Sequence, residues 1–166
     1  MLSGAPSSAV RLRALRADDI DAVLRIQREA YGDDYQESAE VLGRKLSLAP
    51  EACWFAEGEG RGLAYIIAHP WSDTAPPLHA AIERLPAGAE FGFVHDLAVC
   101  ARARGAGVGT GLLGKVETWA QRSALRGLRL VALADARAYW RGLGFVTASA
   151  SLPAAYGAGA VFMRRG

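Results

Sequence analysis

The chain has 166 residues, of which 51% are hydrophobic and 22% charged, and its formal net charge at pH 7 is +2. This length suits one domain, and the apolar content is enough for a packed core, so wholesale disorder is excluded. The small net charge excludes a general attraction to nucleic acid, and no apolar run approaches the roughly 20 residues that a membrane span needs. We therefore expect one soluble domain over residues 1–166, with no nucleic-acid or membrane partner.

The start of the chain and the two cysteines bear on its location. Residues 1–9 lack the basic start and apolar middle of a signal peptide, and we expect them to be flexible. Cys53 and Cys100 each stand beside an apolar, strand-like run, which is typical of buried free thiols in a reducing compartment. The sequence therefore predicts a cytoplasmic protein.

Apolar periodicity predicts the first elements. Alternating apolar and basic residues predict a strand over 10–15, and helical spacing predicts a helix over 18–30 with Asp18 as its N-cap. An acidic and aromatic loop over 31–37 leads to a second helix over 38–50, which ends at a proline.

A hairpin and a long loop follow. Two short apolar runs, 53–56 and 63–69, predict a hairpin across the glycine-containing and charged turn 57–62. Residues 70–90 contain four prolines and no clear period, so they are predicted to form a loop with a helical turn near 80–84.

The second half of the chain predicts a strand, a helix and a strand. The strand covers 91–99, the helix runs from 108 until a glycine at 127, and the next strand covers 128–133. Such a crossover implies that the two strands are parallel. A short helix and two last strands complete the predicted order, over 135–143, 145–150 and 160–164.

Glycines concentrate between the strand 91–99 and the helix that follows it. Five of the eleven residues from Gly105 to Lys115 are glycine, and Arg102 and Arg104 precede them. Without side chains, the backbone N–H groups at the start of a helix can point into a concave surface, where the helix dipole adds positive charge. This pattern predicts a pyrophosphate site.

Two nucleotide-binding motifs compete for the same residues. The run Gly109–Gly114 matches Gly-x-Gly-x-x-Gly, but nine residues separate its first glycine from Val99, whereas a dinucleotide site needs the strand to end close by. The run Gly109–Lys115 matches Gly-x-x-x-x-Gly-Lys, but Val116 stands where a magnesium-binding Ser or Thr is required. A nicotinamide-dependent oxidoreductase stays open as an alternative that dinucleotide binding would reveal.

Three blocks carry a resemblance to a known family. His95-Asp-Leu-Ala-Val99, Arg104-Gly-Ala-Gly-Val-Gly109 and Tyr139-Trp-Arg-Gly-Leu-Gly-Phe145 follow one another in an order and spacing that resemble the GNAT superfamily of acyl-coenzyme A N-acetyltransferases. The resemblance is strongest over 91–146, which it implies is the coenzyme A-binding core. It implies a mixed α/β fold with a central, mostly antiparallel sheet, a splayed parallel strand pair, and helices on both faces.

The resemblance also implies a reaction and a cofactor site. A primary amine, of a small molecule or a protein N-terminus, attacks acetyl-CoA directly, and no metal takes part. The backbone of 97–99 pairs with pantetheine, the amides of 104–110 hold the pyrophosphate, and an N–H near Val99 polarises the thioester carbonyl. The cofactor-binding residues are then Leu97, Ala98, Val99, Arg104, Gly105, Ala106, Gly107, Val108, Gly109, Thr110 and Trp140.

The chain departs from the family pattern at its proton donor. In the family a Tyr often protonates the departing sulfur, but Trp140 stands at that position, and Leu133 stands near the place of the usual Asn. Tyr139 is turned about 100° away by one helical step, so Tyr156 or solvent is left as the acid. The departure keeps a second hypothesis open, a non-catalytic acyl-CoA-binding or sensor module.

His95 and Asp96 are the candidate bases. They are adjacent in a strand, so alternation predicts that their side chains lie on opposite faces and only one meets the acceptor. Imidazole titrates near neutral pH, which favours His95, whereas burial would have to raise the pKa of Asp96. A structural role for His95 stays equally open, and Glu90 and His79 are weaker candidates.

The acceptor itself is not identified by the sequence. The loop 31–37 is where the family forms its acceptor wall, and an acidic wall would attract a cationic amine, although a solvated loop that stabilises the next helix is the alternative. Trp71 and His79 are candidates to close over the acceptor. The assembly state stays open, with a homodimer as one option. The candidate acceptor-binding residues are Tyr31, Asp33, Asp34 and Tyr35.

Overall fold

The computed structural model of the chain describes residues 9–78 and 82–166, without the side chain of Asp34. Most of the segment that we predicted to be flexible, residues 1–8, lies outside this part, as does His79. The helical turn predicted near 80–84 is only partly covered, and its described residues 82–84 are not helical.

A seven-stranded sheet forms the centre of the molecule, in the order β1-β2-β3-β4-β5-β7-β6. All neighbouring strands are antiparallel except β4 and β5, which are parallel. The predicted fold class, a mixed and mostly antiparallel sheet with one parallel pair, is therefore confirmed. The strands are β1 Arg11–Ala14, β2 Trp54–Gly58, β3 Arg61–Trp71, β4 Phe91–Val99, β5 Leu128–Ala132, β6 Val146–Thr147 and β7 Val161–Arg165.

Helices cover both faces of the sheet, because successive strand residues point to opposite faces. Tyr65 and Ile67 of β3 pack in the core shared with the first two helices, whereas Ile66 between them packs on the opposite side. That opposite side is covered by the third helix through Leu112 and Val116. The helices are α1 Ile20–Tyr31, α2 Ala39–Leu48, α3 Val108–Arg122 and α4 Arg137–Gly142.

Two predicted boundaries near the start of the chain are corrected. The N-cap of α1 is Asp19, not Asp18, because a single 3-10 turn precedes the helix and the Asp19 carboxylate accepts the Arg16 N–H at 2.8 Å. Strand β3 continues through Pro70 and Trp71, which we had assigned to the long loop. Proline is tolerated there because β2 pairs with β3 only as far as Ile66, and beyond that point no described residue pairs with this edge of the strand.

Several elements of the second half are shorter than predicted. Helix α3 ends at Arg122 rather than near Gly127, and only Val146–Thr147 of the predicted strand 145–150 pairs with a neighbour. The order of strand, helix and parallel strand is as predicted.

The parallel pair opens after three residues. Gly92, Phe93 and Val94 of β4 pair with β5, and the rest of β4 has no partner on that side within the described chain. A β-bulge lies at the same point: Ala68 of β3 pairs with Val94, Ile67 pairs with Asp96, and His95 is the extra residue between them. Because a bulge bends its strand and increases the local twist, it turns β4 away from β5 and opens the sheet there.

Candidate active site

Two cavities meet where β4 and β5 separate. We call the first the glycine-turn cavity, and it is lined by Ala30, Tyr31, Leu97, Ala98, Val99, Ala103, Arg104, Gly105, Gly107, Val108, Gly109, Thr110, Asp135, Ala136, Tyr139 and Trp140. We call the second the central cleft, and it is lined by Gln27, Tyr31, Tyr35, Glu37, Leu78, Val94, His95, Asp96, Leu97, Leu130, Val131, Leu133, Ala136, Trp140 and Tyr156. Four residues, which we call the junction, line both: Tyr31, Leu97, Ala136 and Trp140.

The glycine turn has the geometry of an anion site. Gly105 and Gly107 have φ values of 81° and 77°, a left-handed conformation that side chains disfavour, and α3 begins directly after them at Val108. The amides of the first helical turn have no intrahelical partner, and the helix dipole gives this end a partial positive charge. The turn therefore offers N–H donors and positive potential to the cavity.

The two arginines before the turn differ in position. Arg104 lines the glycine-turn cavity, and its Nε donates to the Val99 carbonyl at 3.2 Å. Arg102 lies outside the lining, and its guanidinium faces Glu59 of the β2–β3 turn at 3.6 Å. Only one of the two cations that the sequence pairs together thus contributes directly to the cavity.

The open edge of β4 presents main-chain groups to the cavities. Cys100 N donates to Leu63 O of β3 at 2.8 Å, so the alternate residues Leu97 and Val99 face the side that β5 has left. The carbonyl oxygens of both residues accept hydrogen bonds from side chains: the Tyr31 hydroxyl donates to Leu97 O, and Arg104 Nε donates to Val99 O. The N–H groups of Leu97 and Val99 point the same way, toward the opening.

His95 and Asp96 lie on the same face, and our prediction that they face opposite ways was wrong. His95 Nε2 lies 2.8 Å from Glu37 Oε1, and Asp96 Oδ2 accepts from Gln27 Nε2 at 2.8 Å, while Gln27 Oε1 accepts the Glu37 N–H. Both side chains thus reach one network on the α1–α2 side, and both line the central cleft. The physical reason is the bulge at His95, which interrupts the alternation.

Asp96 is held by two donors from the protein. Gln27 Nε2 and the Tyr65 hydroxyl both donate to Oδ2, so Oδ1 accepts no hydrogen bond from the part of the chain that is described. Burial raises the pKa of Asp96 against the opposing effect of these hydrogen bonds. Asp96 is therefore a carboxyl group in the cleft wall with one oxygen available and a raised proton affinity.

Glu37, Lys45 and His95 form a buried triad. Lys45 Nζ donates to Glu37 Oε2 at 2.8 Å and lies 2.5 Å from His95 Nε2, and the Lys45 side chain is 0% exposed. Burial alone would raise the pKa of Glu37, but His95 and Lys45 lower it to about 2, whereas burial lowers the pKa of Lys45. His95 Nε2 is thus occupied by the triad, and its buried Nδ1 has no partner among the described residues.

Only some of the other predicted catalytic and acceptor residues line the central cleft. Tyr35 and Tyr156 line the central cleft, and the Tyr156 hydroxyl donates to Pro76 O at 2.7 Å. Asp33 is exposed and pairs with Arg28 at 3.3 Å, so it does not line the cleft. Asp34 has no described side chain.

The remaining predicted site residues lie at several places in the fold. Trp140 is buried and lines both cavities, whereas its neighbour Tyr139 is 49% exposed and lines only the glycine-turn cavity. Ala106 belongs to the turn but is exposed outside the lining. Glu90, a weaker candidate base, is exposed and pairs with Arg126 at 3.3 Å, away from the cleft. Trp71 packs edge-on against His69.

Gln27 and Lys45 were missed by the sequence analysis, although both leave a trace there. Gln27 follows Ile20 and Val23 at the spacing of an apolar helix face, and Lys45 follows Val41 and Leu42 in the same way. A polar side chain at such a position is directed into the core, where it needs a partner. Lys45 contacts His95 at the bulge of β4, and Gln27 donates to Asp96 beside it.

Within residues 9–78 and 82–166, no three His, Cys, Asp or Glu side chains are grouped so that they could hold a metal ion. Among the helices that are described, none is long and apolar enough to cross a membrane.

A comparison with family models gives one match. The model described as "Acetyltransferase (GNAT) family" matches residues 20–145, more than half of the chain. No curated protein matches the sequence.

Solved structures give many matches to the fold. Ard1 from Thermoplasma volcanium has a TM-score of 0.75 at 20% identity, covering 95% of this chain and 97% of that one. The GNAT-like decarboxylase GphF, in complex with isobutyryl-CoA, has a TM-score of 0.76 at 18% identity, covering 93% and 97%. Arabidopsis thaliana Naa50, in complex with the bisubstrate analogue CoA-Ac-MVNAL, has a TM-score of 0.70 at 14% identity, covering 95% and 98%. Identities this low establish similarity of fold.

Proposed function

Because this chain belongs to the GNAT acetyltransferase family, we propose that it transfers an acetyl group from acetyl-CoA to a primary amine by direct attack. The observation that carries the proposal is the meeting of two cavities at the opening between β4 and β5. One cavity has the donors and charge for a pyrophosphate, and the other has carboxyl and aromatic groups for an amine. A reaction between two substrates needs such a meeting point, whereas a single-ligand module does not.

We assign coenzyme A to the glycine-turn cavity. The amides around Gly105 and Gly107 would hold the pyrophosphate with Arg104, and pantetheine would lie along the open edge of β4 and pair with the N–H of Val99. The acyl-CoA and CoA-analogue complexes of GphF and Naa50 support the assignment. The N–H of Leu97, at the junction, is then the donor for the oxygen of the thioester carbonyl, where negative charge develops during attack.

We assign the amine to the central cleft. Asp96 and Glu37 carry carboxyl groups in its wall, and Tyr35 and Tyr156 supply aromatic surface for the rest of the acceptor. A small-molecule amine and a protein N-terminus both present a cationic amine of this kind. The Naa50 complex with the bisubstrate analogue CoA-Ac-MVNAL supports the N-terminal class.

We propose Asp96 as the base and His95 as a positioning residue. The nucleophile must lose a proton, and Asp96 has a free oxygen in the cleft wall and a raised pKa, both of which suit proton uptake. His95 Nε2 is occupied by Lys45 and Glu37, so this nitrogen does not face the amine. His95 would instead fix the bulge that brings Asp96 into the cleft.

We also propose a cytoplasmic location. Cys53 and Cys100 are both free and buried, and free thiols are typical of proteins kept in a reducing compartment.

The proposal is tested by thiol release. The purified protein is incubated with acetyl-CoA and a panel of small amines and peptides with free N-termini, and free CoA is measured with a thiol reagent. We expect release that depends on one class of amine, and a mass increase of one acetyl group on that amine. Binding of acetyl-CoA without release from any amine would favour the alternative of a sensor module, which Trp140 in place of the family's Tyr supports.

The role of Asp96 is tested by a matched pair of variants. Asp96→Asn removes the base while keeping the side-chain shape, and we expect kcat to fall by about 10²- to 10⁴-fold. Glu90→Gln removes an exposed carboxylate that pairs with Arg126 far from the cleft, and we expect kcat within about 2-fold of wild type. Equal kcat values for Asp96→Asn and wild type would exclude Asp96 as the base.

A further inference from the structure

Only one of the four junction side chains has an acidic proton. If coenzyme A lies in the glycine-turn cavity and the amine in the central cleft, the thioester sulfur must lie between them, beside Tyr31, Leu97, Ala136 and Trp140. Leucine and alanine side chains have no acidic proton, and an indole N–H is a donor that does not ionise. Resting on the proposed function, we propose that Tyr31 is the catalytic acid that protonates the departing sulfur.

The position of Tyr31 fits this role. It is the last residue of α1, and its hydroxyl donates to Leu97 O on the open edge of β4. The N–H of the same Leu97 faces the opening. A thioester lying along this edge would therefore have the amide near its carbonyl oxygen and the phenol near its sulfur.

The proton transfers balance through Asp96. The amine nitrogen bonds to the thioester carbon and its proton passes to Asp96, while the C–S bond breaks and its electron pair goes to sulfur. Tyr31 then gives its proton to the thiolate, which leaves as the CoA thiol, and the proton held on Asp96 restores the Tyr31 hydroxyl. The net products are one amide and one thiol, and no other reactant is needed.

Asp96 also controls how readily Tyr31 ionises. Burial and the nearby Asp96 carboxylate both raise the pKa of Tyr31, so the hydroxyl keeps its proton in the resting enzyme. Once Asp96 has taken the proton of the amine, its negative charge is gone and that part of the cost of ionising Tyr31 is removed. Tyr31 thus becomes a stronger acid once Asp96 has taken the proton of the amine, which is the step before Tyr31 protonates the sulfur.

The other tyrosines near the site are less well positioned. Tyr156 lines the central cleft but not the glycine-turn cavity, so it lies outside the junction. Tyr139 lines the glycine-turn cavity only and is half-exposed on α4. Tyr65 lies outside both linings and donates to Asp96.

Tyr31→Phe is the first test, because it removes one hydroxyl and keeps the ring. With the amine that supports wild-type turnover, we expect kcat to fall by about 10²-fold, the usual effect of losing a general acid, while the Kd for acetyl-CoA changes by less than about 3-fold. Tyr139→Phe is the comparison, and we expect it to alter KM for acetyl-CoA more than kcat. Thermal melting confirms that both variants are folded.

A rescue variant separates an acid from a structural residue. Trp140 lines the same junction, so Tyr31→Phe combined with Trp140→Tyr returns a phenol to it from the opposite wall. We expect the kcat of the double variant to be at least about 10-fold higher than that of Tyr31→Phe. A change in packing alone would not give this recovery.

The outcomes distinguish the two proposals. A wild-type protein that is inactive with every amine overturns the proposed function and this inference together. An active wild type with an equally active Tyr31→Phe overturns the inference alone. A Tyr31→Phe variant that weakens acetyl-CoA binding and leaves kcat unchanged also overturns it, because Tyr31 would then be a binding residue.

Discussion

Lys45 Nζ lies 2.5 Å from His95 Nε2, and neither side chain is more than 1% exposed. The lysine reaches this point from α2, and the histidine reaches it from the bulge of β4. Glu37 bonds to both, so a helix, a loop end and the bulged strand are joined by one set of hydrogen bonds. The bulge of β4 is therefore tied to α2 by a polar contact inside the core.

Replacing Lys45 with methionine should destabilise the protein strongly. The variant keeps the side-chain length but leaves the Glu37 carboxylate buried without its ammonium partner. Breaking a buried ion pair in this way costs about 3–5 kcal/mol of unfolding free energy, which urea denaturation measures. The double variant Lys45→Met, Glu37→Gln removes the charge as well and should recover at least half of the loss. A single variant within about 1 kcal/mol of wild type would contradict the importance of the triad.

The stability of the protein should depend on acid through Glu37. Its pKa is lowered from 4.5 to about 2 in the folded state, so between these values the unfolded chain binds more protons than the folded one. Unfolding free energy should therefore fall as the pH is lowered from 4.5 toward 2, each unit of pKa shift corresponding to about 1.4 kcal/mol.

A variant isolates the contribution of Glu37 to this acid dependence. Glu37→Gln should show a shallower loss below pH 4.5 in urea titrations at several pH values. It should keep the earlier loss that begins below pH 6.5, because burial lowers the pKa of His69 from 6.5 to about 3. Identical pH profiles for the variant and wild type would mean that Glu37 does not carry the effect.

The predictable parts of this fold are those that have a local pattern in the sequence. Glycine spacing marks the turn before α3 because left-handed positions such as Gly107 restrict the residue type, and apolar spacing marks the helices because their faces must be buried. The order of strands followed from the crossover rule.

The bulge at His95 was not predictable, because a single extra residue leaves no mark in the composition of a strand that is apolar on both sides. Its consequence, that His95 and Asp96 share a face, was therefore missed. The course of β3 through Pro70 was missed for a related reason. The local sequence predicts a break, and only the absence of β2 beyond Ile66 permits the strand to continue.

Gly107 and Gly114 form a matched pair for testing the glycine turn. Gly107 has a φ of 77°, so Gly107→Ala forces alanine into a left-handed conformation, costing about 1–2 kcal/mol, or shifts the amides of the turn. We expect the Kd for CoA to rise at least 10-fold by isothermal titration calorimetry. Gly114 lies inside α3, and an added Cβ would meet no atom within 4 Å beyond the adjacent residues and backbone of its own helix. Gly114→Ala should leave that Kd within about 2-fold and stabilise the helix by up to about 1 kcal/mol.

Arg104 and Arg102 provide a second matched pair, which tests the charge at the cofactor site. Arg104 lines the glycine-turn cavity, whereas Arg102 faces Glu59 at 3.6 Å outside it. Arg104→Ala should raise the Kd for CoA about 10-fold at low salt and reduce its dependence on salt concentration, because one cation near the phosphates is lost. Arg102→Ala should change the Kd by no more than about 2-fold, since this cation lies outside the cavity lining and is paired with Glu59. Calorimetry at 50 mM and 300 mM salt compares the two variants. Equal losses of CoA affinity in both variants would mean that the arginines act only through net charge, and that the position of Arg104 in the cavity lining has no effect of its own.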